Sequence, residues 1–287
     1  RGKRLAGPVI PASGTFGFGK EYGAFYDLSE LGGICCKGLT PARREGNPPP
    51  RIAETPMGIL NSVGLQNPGV DAFIAQELPE LKRHDLAIIA NISGNTPEDY
   101  GVMCEKLSAA GVDMIEVNIS CPNVKVGGMA YGVKAEAAGE VVRMVRAACK
   151  KPLMVKLSPQ AENIPAMCKA VEAAGADAIS LTNTFQACAI DLEKRRPVFN
   201  NIFAGLSGPA VRPIALRMVW QAVGAVNIPV VGLGGIATGR DALEFIMAGA
   251  AAVQVGRPAS RPSGRAMGLL CIKLPILPIF LPFESKR

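Results

Sequence analysis

Eight cysteines stand in this chain (Cys35, Cys36, Cys104, Cys121, Cys149, Cys168, Cys188 and Cys271), but no two of them form a C-x-x-C pair. That absence argues against zinc, an iron–sulfur cluster or a redox disulfide, and most of these thiols are expected to be reduced core residues. No metal site is predicted. Apolar runs approaching 18 residues without a break are also missing, and the N-terminus RGKRLAGPVIPASG has no hydrophobic stretch of signal-peptide type. A cytoplasmic protein, not bound to a membrane, is therefore expected. The net charge of +7 does not describe a basic body. Residues 257–287 carry +5 and Arg1, Lys3 and Arg4 a further +3, which leaves −1 for residues 5–256. Without a basic stripe on the folded part, nucleic-acid binding is not expected. Histidine is reduced to one residue, His84, in ELKRHDLAII ahead of a strand-like run. A surface or capping role suits it better than chemistry. No low-complexity linker divides the chain.

What the sequence has is repetition. Eight short apolar or β-branched runs each end in a polar or glycine cluster: VIPASGT (9–15), GICCKGLT (33–40), AIIANIS (87–93), MIEVNIS (114–120), LMVKLSP (153–159), AISLTNT (178–184), PVVGLGGI (229–236) and AAVQVG (251–256). Amphipathic stretches lie between several of them, such as 97–111, 139–150 and 162–175, and Ala-Gly closures end some of these. Eight strand-then-helix units predict an α/β fold, a closed parallel (β/α)8 TIM barrel over residues 1–256, with a doubly wound open sheet as the alternative.

In a barrel of this type the active site forms where the strands finish. The residues there are Ser13 and Gly14, Lys37 and Gly38, Asn91, the stretch Asn118 to Asn123, Lys156, Asn183 and Thr184, Gly234 and Gly235, and Gly256. Singly, each reads as a turn or cap residue. Their recurrence at the same end of nearly every strand marks a site. Lys37 and Lys156 sit inside apolar runs and need an anionic partner, because an unpaired buried ammonium costs several kcal/mol. A ligand's charge fits that need better than a structural carboxylate. GLGGI (232–236) and Gly256 follow the seventh and eighth strands, where barrels commonly hold a phosphate on backbone N–H groups, and GLSG (205–208) adds further donors.

The segments PASGTFGFGKEY (11–22), KGLT (37–40), NSVGLQNPGV (61–70), ANISG (90–94), VNISCPNVKVGGMAYG (117–132), VKLSP (155–159), LTNT (181–184), 189–221 and GLGGI (232–236) together resemble the dihydroorotate dehydrogenases, specifically the NAD-linked, two-subunit class 1B. The resemblance spans about residues 8–256. It implies FMN at the strand ends and oxidation of dihydroorotate to orotate in pyrimidine biosynthesis. Cys121 is implied as the base that takes the C5 proton while flavin N5 takes the C6 hydride. The substrate would meet Lys37, Asn61, Ser62, Val63, Gly64, Leu65, Asn118, Asn123, Asn183 and Thr184, whose amides both donate and accept. The flavin would meet Ser13, Gly14, Lys37, Gly38, Asn91, Asn118, Lys156 and Thr182, with Lys156 facing N1 of the ring. Gly208, Gly234, Gly235, Gly256 and Arg257 would take the phosphate.

The resemblance further implies a homodimer at the core of a heterotetramer, with a partner subunit that carries FAD and a [2Fe–2S] cluster and delivers electrons to NAD. Related pyrimidine-reducing barrels usually place histidine where this chain has Asn123. A reductase of uracil-like rings is therefore the second reading, and a flavin-free barrel serving as a binding or assembly subunit the third. After Gly256 the resemblance stops. Residues 257–287 form an atypical proline-rich tail, read as the product of a shifted frame near codon 257 in preference to a divergent natural ending, and the N-terminus is read as truncated.

Overall fold

The computed structural model describes residues 5–25, 27–120 and 131–256. Eight strands form one parallel sheet: β1 (Val9–Pro11), β2 (Gly33–Cys35), β3 (Ala87–Ile92), β4 (Met114–Asn118), β5 (Leu153–Lys156), β6 (Ala178–Leu181), β7 (Val230–Leu233) and β8 (Ala252–Val255). Their spatial order is β1-β8-β7-β6-β5-β4-β3-β2. Between the two ends of that order the Gly32 N–H donates to the Val9 carbonyl at 3.1 Å, so the sheet curls round on itself. All eight expected runs are strands, and the closed barrel prevails over the open sheet.

Helices follow β2 to β7. They are α1 (Val70–Ala72, continued through a π-helical Phe73–Glu77 into Leu78–Leu81), α2 (Pro97–Ala110), α3 (Ala135–Ala148), α4 (Ile164–Ala173), α5 (Arg212–Val223) and α6 (Gly239–Met247). The starts of α2 and α6 are written locally. Thr96 and Thr238 accept from the backbone N–H three residues on, while Asp99 and Asp241 reach back to the cap N–H groups. The outward side chains of the strands, among them Ile34, Ile88, Ile115, Val155, Ile179 and Val253, pack under these helices as the main core.

Inside the barrel the side chains are layered. At the N-terminal end Ile10, Cys35, Ile89, Met154, Ala178, Val231 and Ala252 form an apolar layer. A cavity of about 680 Å³ opens at that end, lined by Leu5, Ile10 and Met114 among others, and none of the predicted site residues borders it. One step towards the C-terminal strand ends the interior turns polar, with Asn91, Glu116, Lys156, Ser180 and Gln254 all buried.

A second sheet was not legible as such. The strands Ile52–Thr55, Gly58–Asn61, Phe203–Ser207 and Phe185–Cys188 form an antiparallel sheet in the order given by 52–55, 58–61, 203–207, 185–188. Beside it, Ile190–Asp191 pairs with Arg196–Pro197. These strands come from the loops after β2 and β6. Among the described residues, no helix is long and apolar enough to cross a membrane.

Candidate active site

The polar strand ends meet as the barrel geometry requires. Asn118 ends β4, in register with Lys156 at the end of β5, and Lys156 is in register with Ser180 of β6. The Asn118 carbonyl is held by the hydroxyl of buried Tyr100, on α2, at 2.8 Å. Its side-chain oxygen accepts from the Ser120 N–H at 3.2 Å and hydroxyl at 2.5 Å, and from Asn183 Nδ2 at 3.3 Å. Asn183 also donates to Ser120 Oγ. Two amides predicted to face substrate are thus locked together across β4 and β6. Ser120 is the hydroxyl between them, and only its position beside the asparagines pointed to it.

The loop after β2 contributes the second wall. Leu65 Cδ2 lies 3.5 Å from where a Cβ on Gly38 would stand, so NSVGL folds over the end of β2. Ser62 accepts from Asn47 Nδ2 at its carbonyl (3.0 Å) and its hydroxyl (3.2 Å), and the Val63 carbonyl takes the Asn47 N–H at 3.0 Å. Asn61 Nδ2 donates to the Gly205 carbonyl at 3.1 Å, and a Cβ on Gly205 would lie only 2.2 Å from Thr184 Oγ1. Asn61 and Thr184 are therefore neighbours across the antiparallel sheet. Asn67 clamps this loop to the barrel. Its carbonyl oxygen accepts from the N–H groups of Thr40 (3.1 Å) and Gly69 (2.9 Å), and its amide donates to Leu65 O (2.7 Å) and Thr40 Oγ1 (2.8 Å). Asn67→Ala strands these buried groups and is expected to cost about 2–3 kcal/mol, read as a lowered melting temperature. A change within the error of the melting curve contradicts the clamp.

Beyond β7 the backbone makes a cradle. Gly234 (φ +125°), Gly235 (φ +73°) and Gly208 (φ +113°) all have backbone conformations that favour glycine. A Cβ on Gly235 would stand 2.7 Å from the Arg212 N and 2.8 Å from the Gly208 carbonyl oxygen, so the two loops touch. Next to them begins α5, entered through a 3-10 turn at Pro209–Val211 whose Pro209 carbonyl accepts the Arg212 N–H. Arg212 is drawn to α6, pairing with Asp241 and, at 3.5 Å, with Glu244. Ser13 is buried after β1, whose continuation Ala12 bonds the Val255 carbonyl at 2.9 Å, and Gly256 lies near Thr15. Thr182 is buried and its N–H is held by the Leu233 carbonyl at 2.9 Å. Cys121, Asn123 and Arg257 lie outside the described residues, as does the tail from 257 to 287.

Beneath the mouth is a group that the sequence reading passed over. Glu116 is fully buried within the barrel. One of its oxygens accepts from Ser180 Oγ and Gln254 Nε2, both at 2.7 Å; the other accepts from Cys35 Sγ at 3.1 Å and from Asn91 Nδ2. Burial acts to raise the Glu116 pKa, but the charge of Lys156 and the bonds from Ser180, Cys35 and Asn91 outweigh it and hold the carboxyl below its ordinary value. Burial and the Glu116 charge push the Cys35 thiol well up, so it remains a donor. Glu116 is thus a buried carboxylate in the same polar layer as Lys156, whose charge helps to hold it ionised. Because a carboxylate only accepts, it also fixes the Asn91 amide with its nitrogen inward and its oxygen on the Gly38 side. Lys37 is pulled below the ordinary lysine pKa by burial and then by Lys156, which places two cations at one mouth. Glu116, Ser180 and Gln254 were findable as polar residues at inward positions of otherwise apolar runs.

The described residues hold no cluster of three or more His, Cys, Asp or Glu that could bind a metal ion. His84 approaches Asp27 at 4.0 Å, ahead of β3 and so at the opposite end from the site. Among the described residues six cysteines are free thiols, five of them buried.

The dihydroorotate dehydrogenase family model matches residues 1–261. The chain is 58% identical over 255 residues to the dihydroorotate dehydrogenase B (NAD(+)) catalytic subunit of Petrotoga mobilis, covering 89% of this chain and 85% of that protein. It is 55% identical to the same subunit from Geobacter sp. (strain M21), covering 89% and 84%. A crystal structure of the Eimeria tenella dihydroorotate dehydrogenase in complex with ferulenol superposes with a TM-score of 0.75 at 21% identity, covering 92% of this chain and 79% of that one, and speaks for the fold alone. The match across nearly the whole chain, joined to the barrel and its polar mouth, places the sequence: it belongs to the dihydroorotate dehydrogenase family.

Proposed function

We propose that this chain oxidises (S)-dihydroorotate to orotate in pyrimidine biosynthesis, with FMN at the mouth formed by the strand ends. The observation that carries the reading is the meeting of three donor sets at one mouth: the Asn118–Ser120–Asn183 amide cluster, the lysines Lys37 and Lys156, and the glycine cradle after β7. The donors suit the two molecules. Gly208, Gly234 and Gly235 place backbone N–H groups where a side chain would clash, as a phosphate needs. Ser13, Asn91, Thr182 and Lys156 offer hydrogen bonds and a positive charge to a flavin ring and its ribityl chain. Amide side chains that both donate and accept, with Lys37 beside them, match the ring N–H groups, carbonyls and carboxylate of dihydroorotate.

When bound, FMN supplies the acceptor for the hydride that leaves C6. This chain supplies the rest. Cys121, three residues past the end of β4, takes the proton from C5, so that loss of H⁺ and H⁻ leaves the ring double bond of orotate. An ordinary thiol has a pKa of about 8.5, so the positive charge of the lysines or the alignment of bound substrate must favour the thiolate. Electrons leave to NAD through a partner subunit holding FAD and a [2Fe–2S] cluster, a division of labour consistent with relatives named as catalytic subunits. The chain works in the cytoplasm as a dimer within that assembly.

Purified protein tests the reading directly. A yellow flavin spectrum that bleaches anaerobically with dihydroorotate, and not with dihydrouracil, is the expected result. Preferential bleaching by dihydrouracil would make it a pyrimidine-ring reductase, and the absence of flavin a binding or assembly barrel. The cradle has its own test. Gly235→Ala imposes a left-handed backbone on a residue with a Cβ, at about 1–2 kcal/mol, and pushes that Cβ against Gly208. FMN affinity is expected to fall about tenfold or more in a fluorescence titration; unchanged affinity removes Gly235 from the phosphate site.

A further inference from the structure

We propose that Ser120 is a positioning residue for the oxidation: it links Asn183 to Asn118 in one directed chain of hydrogen bonds and so turns the Asn118 amide nitrogen, a pure donor, towards the substrate. The proposal rests on the dihydroorotate reading of the same mouth. Strand alternation places Asn118 there. It stands two residues past Glu116 on β4, on the same face of the strand, and Glu116 points into the barrel interior. Asn183 and Thr184 follow the end of β6, and Ser120 stands between the two asparagines. All three side chains are half-buried, so the chain of bonds borders the open mouth and not the core.

Two backbone N–H groups fix its direction, because a backbone N–H can only donate. The Ser120 N–H meets the Asn118 side chain at 3.2 Å, so the atom it meets is the oxygen. The Thr184 N–H meets the Asn183 side chain at 2.8 Å, so that atom is an oxygen too. Asn183 is left with its nitrogen facing β4, where it donates to Ser120 Oγ and, at 3.3 Å, to the Asn118 oxygen. Ser120 Oγ accepts from Asn183 and gives its one proton to that same Asn118 oxygen at 2.5 Å. The Asn118 oxygen thus takes three donors, and among the described residues nothing accepts from its nitrogen. Asn183 has both N–H groups committed and keeps only a spare lone pair on its oxygen. Bonds that run head to tail polarise one another, which strengthens the donor at the end. That donor is the Asn118 NH2, which fits a carbonyl or carboxylate oxygen of the ligand and rejects an N–H.

Two isosteric changes test the direction. In Asn118→Asp the three internal donors still meet an oxygen, while the free end turns from donor to acceptor. The variant is expected to fold, and its orotate affinity, titrated with FMN saturating, to fall about 10²-fold. Asn183→Asp instead sets an oxygen against the Asn118 oxygen and breaks the chain, so it is expected to melt at a lower temperature than Asn118→Asp. Ser120→Ala removes the link and leaves both asparagines. Orotate affinity is expected to fall about tenfold while FMN affinity stays within about twofold of wild type, a split that general loosening of the fold does not give. In an Asn183→Ala background the same serine change should cost less than about twofold, because the residue it links is gone.

An equal orotate loss in both backgrounds, unchanged orotate affinity in Ser120→Ala, or a matching loss of FMN affinity overturns the proposal. So does Asn118→Asp if it binds orotate as wild type does, fails to fold although its internal bonds are kept, or melts no higher than Asn183→Asp. If Ser120→Ala does not fold, Asn118→Asp decides. A wild-type protein that binds no flavin or no orotate overturns the functional reading instead.

Discussion

Cys121→Ala is expected to slow reduction of the bound flavin by dihydroorotate about 10²-fold or more while leaving FMN in place, the usual scale for losing a general base. The reasoning is chemical. A hydride can leave C6 only as the C5 proton is taken, and amides cannot take it. Around this position the described site offers Asn118, Ser120 and Asn183, bound to one another and none of them a base at neutral pH. The single histidine lies at the other end of the barrel. Cys121→Ser should keep some activity at raised pH only, since a hydroxyl surrenders its proton less easily than a thiol. Stopped-flow reduction under anaerobic conditions reads both variants. Wild-type rates in Cys121→Ala would remove this residue from the mechanism.

Lys156→Ala should damage flavin reduction by about 10²- to 10³-fold and orotate binding far less. On the proposed reading, negative charge develops beside Lys156 only as the reaction proceeds, so its stabilisation would belong to the transition state and not to the bound ligand. Lys37 sharpens the contrast. Its pKa is lowered by burial and then by the charge of Lys156, so removing Lys156 makes Lys37 easier to protonate and keeps a cation available for the substrate carboxylate. Orotate titration and single-turnover reduction, measured on one preparation, separate the two effects. Equal losses in both, or no loss in either, contradict the assignment.

The barrel was legible because its signal is local and repeated. A strand buried on both sides reads as an apolar run, and the polar residue that ends it marks the mouth. VIPASGT, AIIANIS and MIEVNIS can be read this way one at a time, and the bounds of β1, β3 and β4 fall inside them. Helices were placed with shifted ends. The α3 stretch starts at Ala135, ahead of the expected 139, because alanines that carry little amphipathic signal still extend a helix.

The antiparallel sheet escaped for the opposite reason. Its strands 52–55, 58–61, 185–188 and 203–207 come from two loops far apart in sequence, and only the β2 and β6 ends of the barrel bring them into pairing. Asn61 and Thr184 were named from the family resemblance, but their meeting over Gly205 is a product of that sheet.

From the sequence alone came the eightfold strand pattern, the polar rim, the glycines after the seventh strand and the family likeness, because each is carried by a short stretch of neighbouring residues. Only the tertiary structure decided that Glu116 lies among Cys35, Asn91, Ser180 and Gln254. A single buried charge in a run such as MIEVN says that a partner must exist. Which partner it finds depends on the stagger of strands up to 138 positions apart, and that is fixed only when the barrel closes.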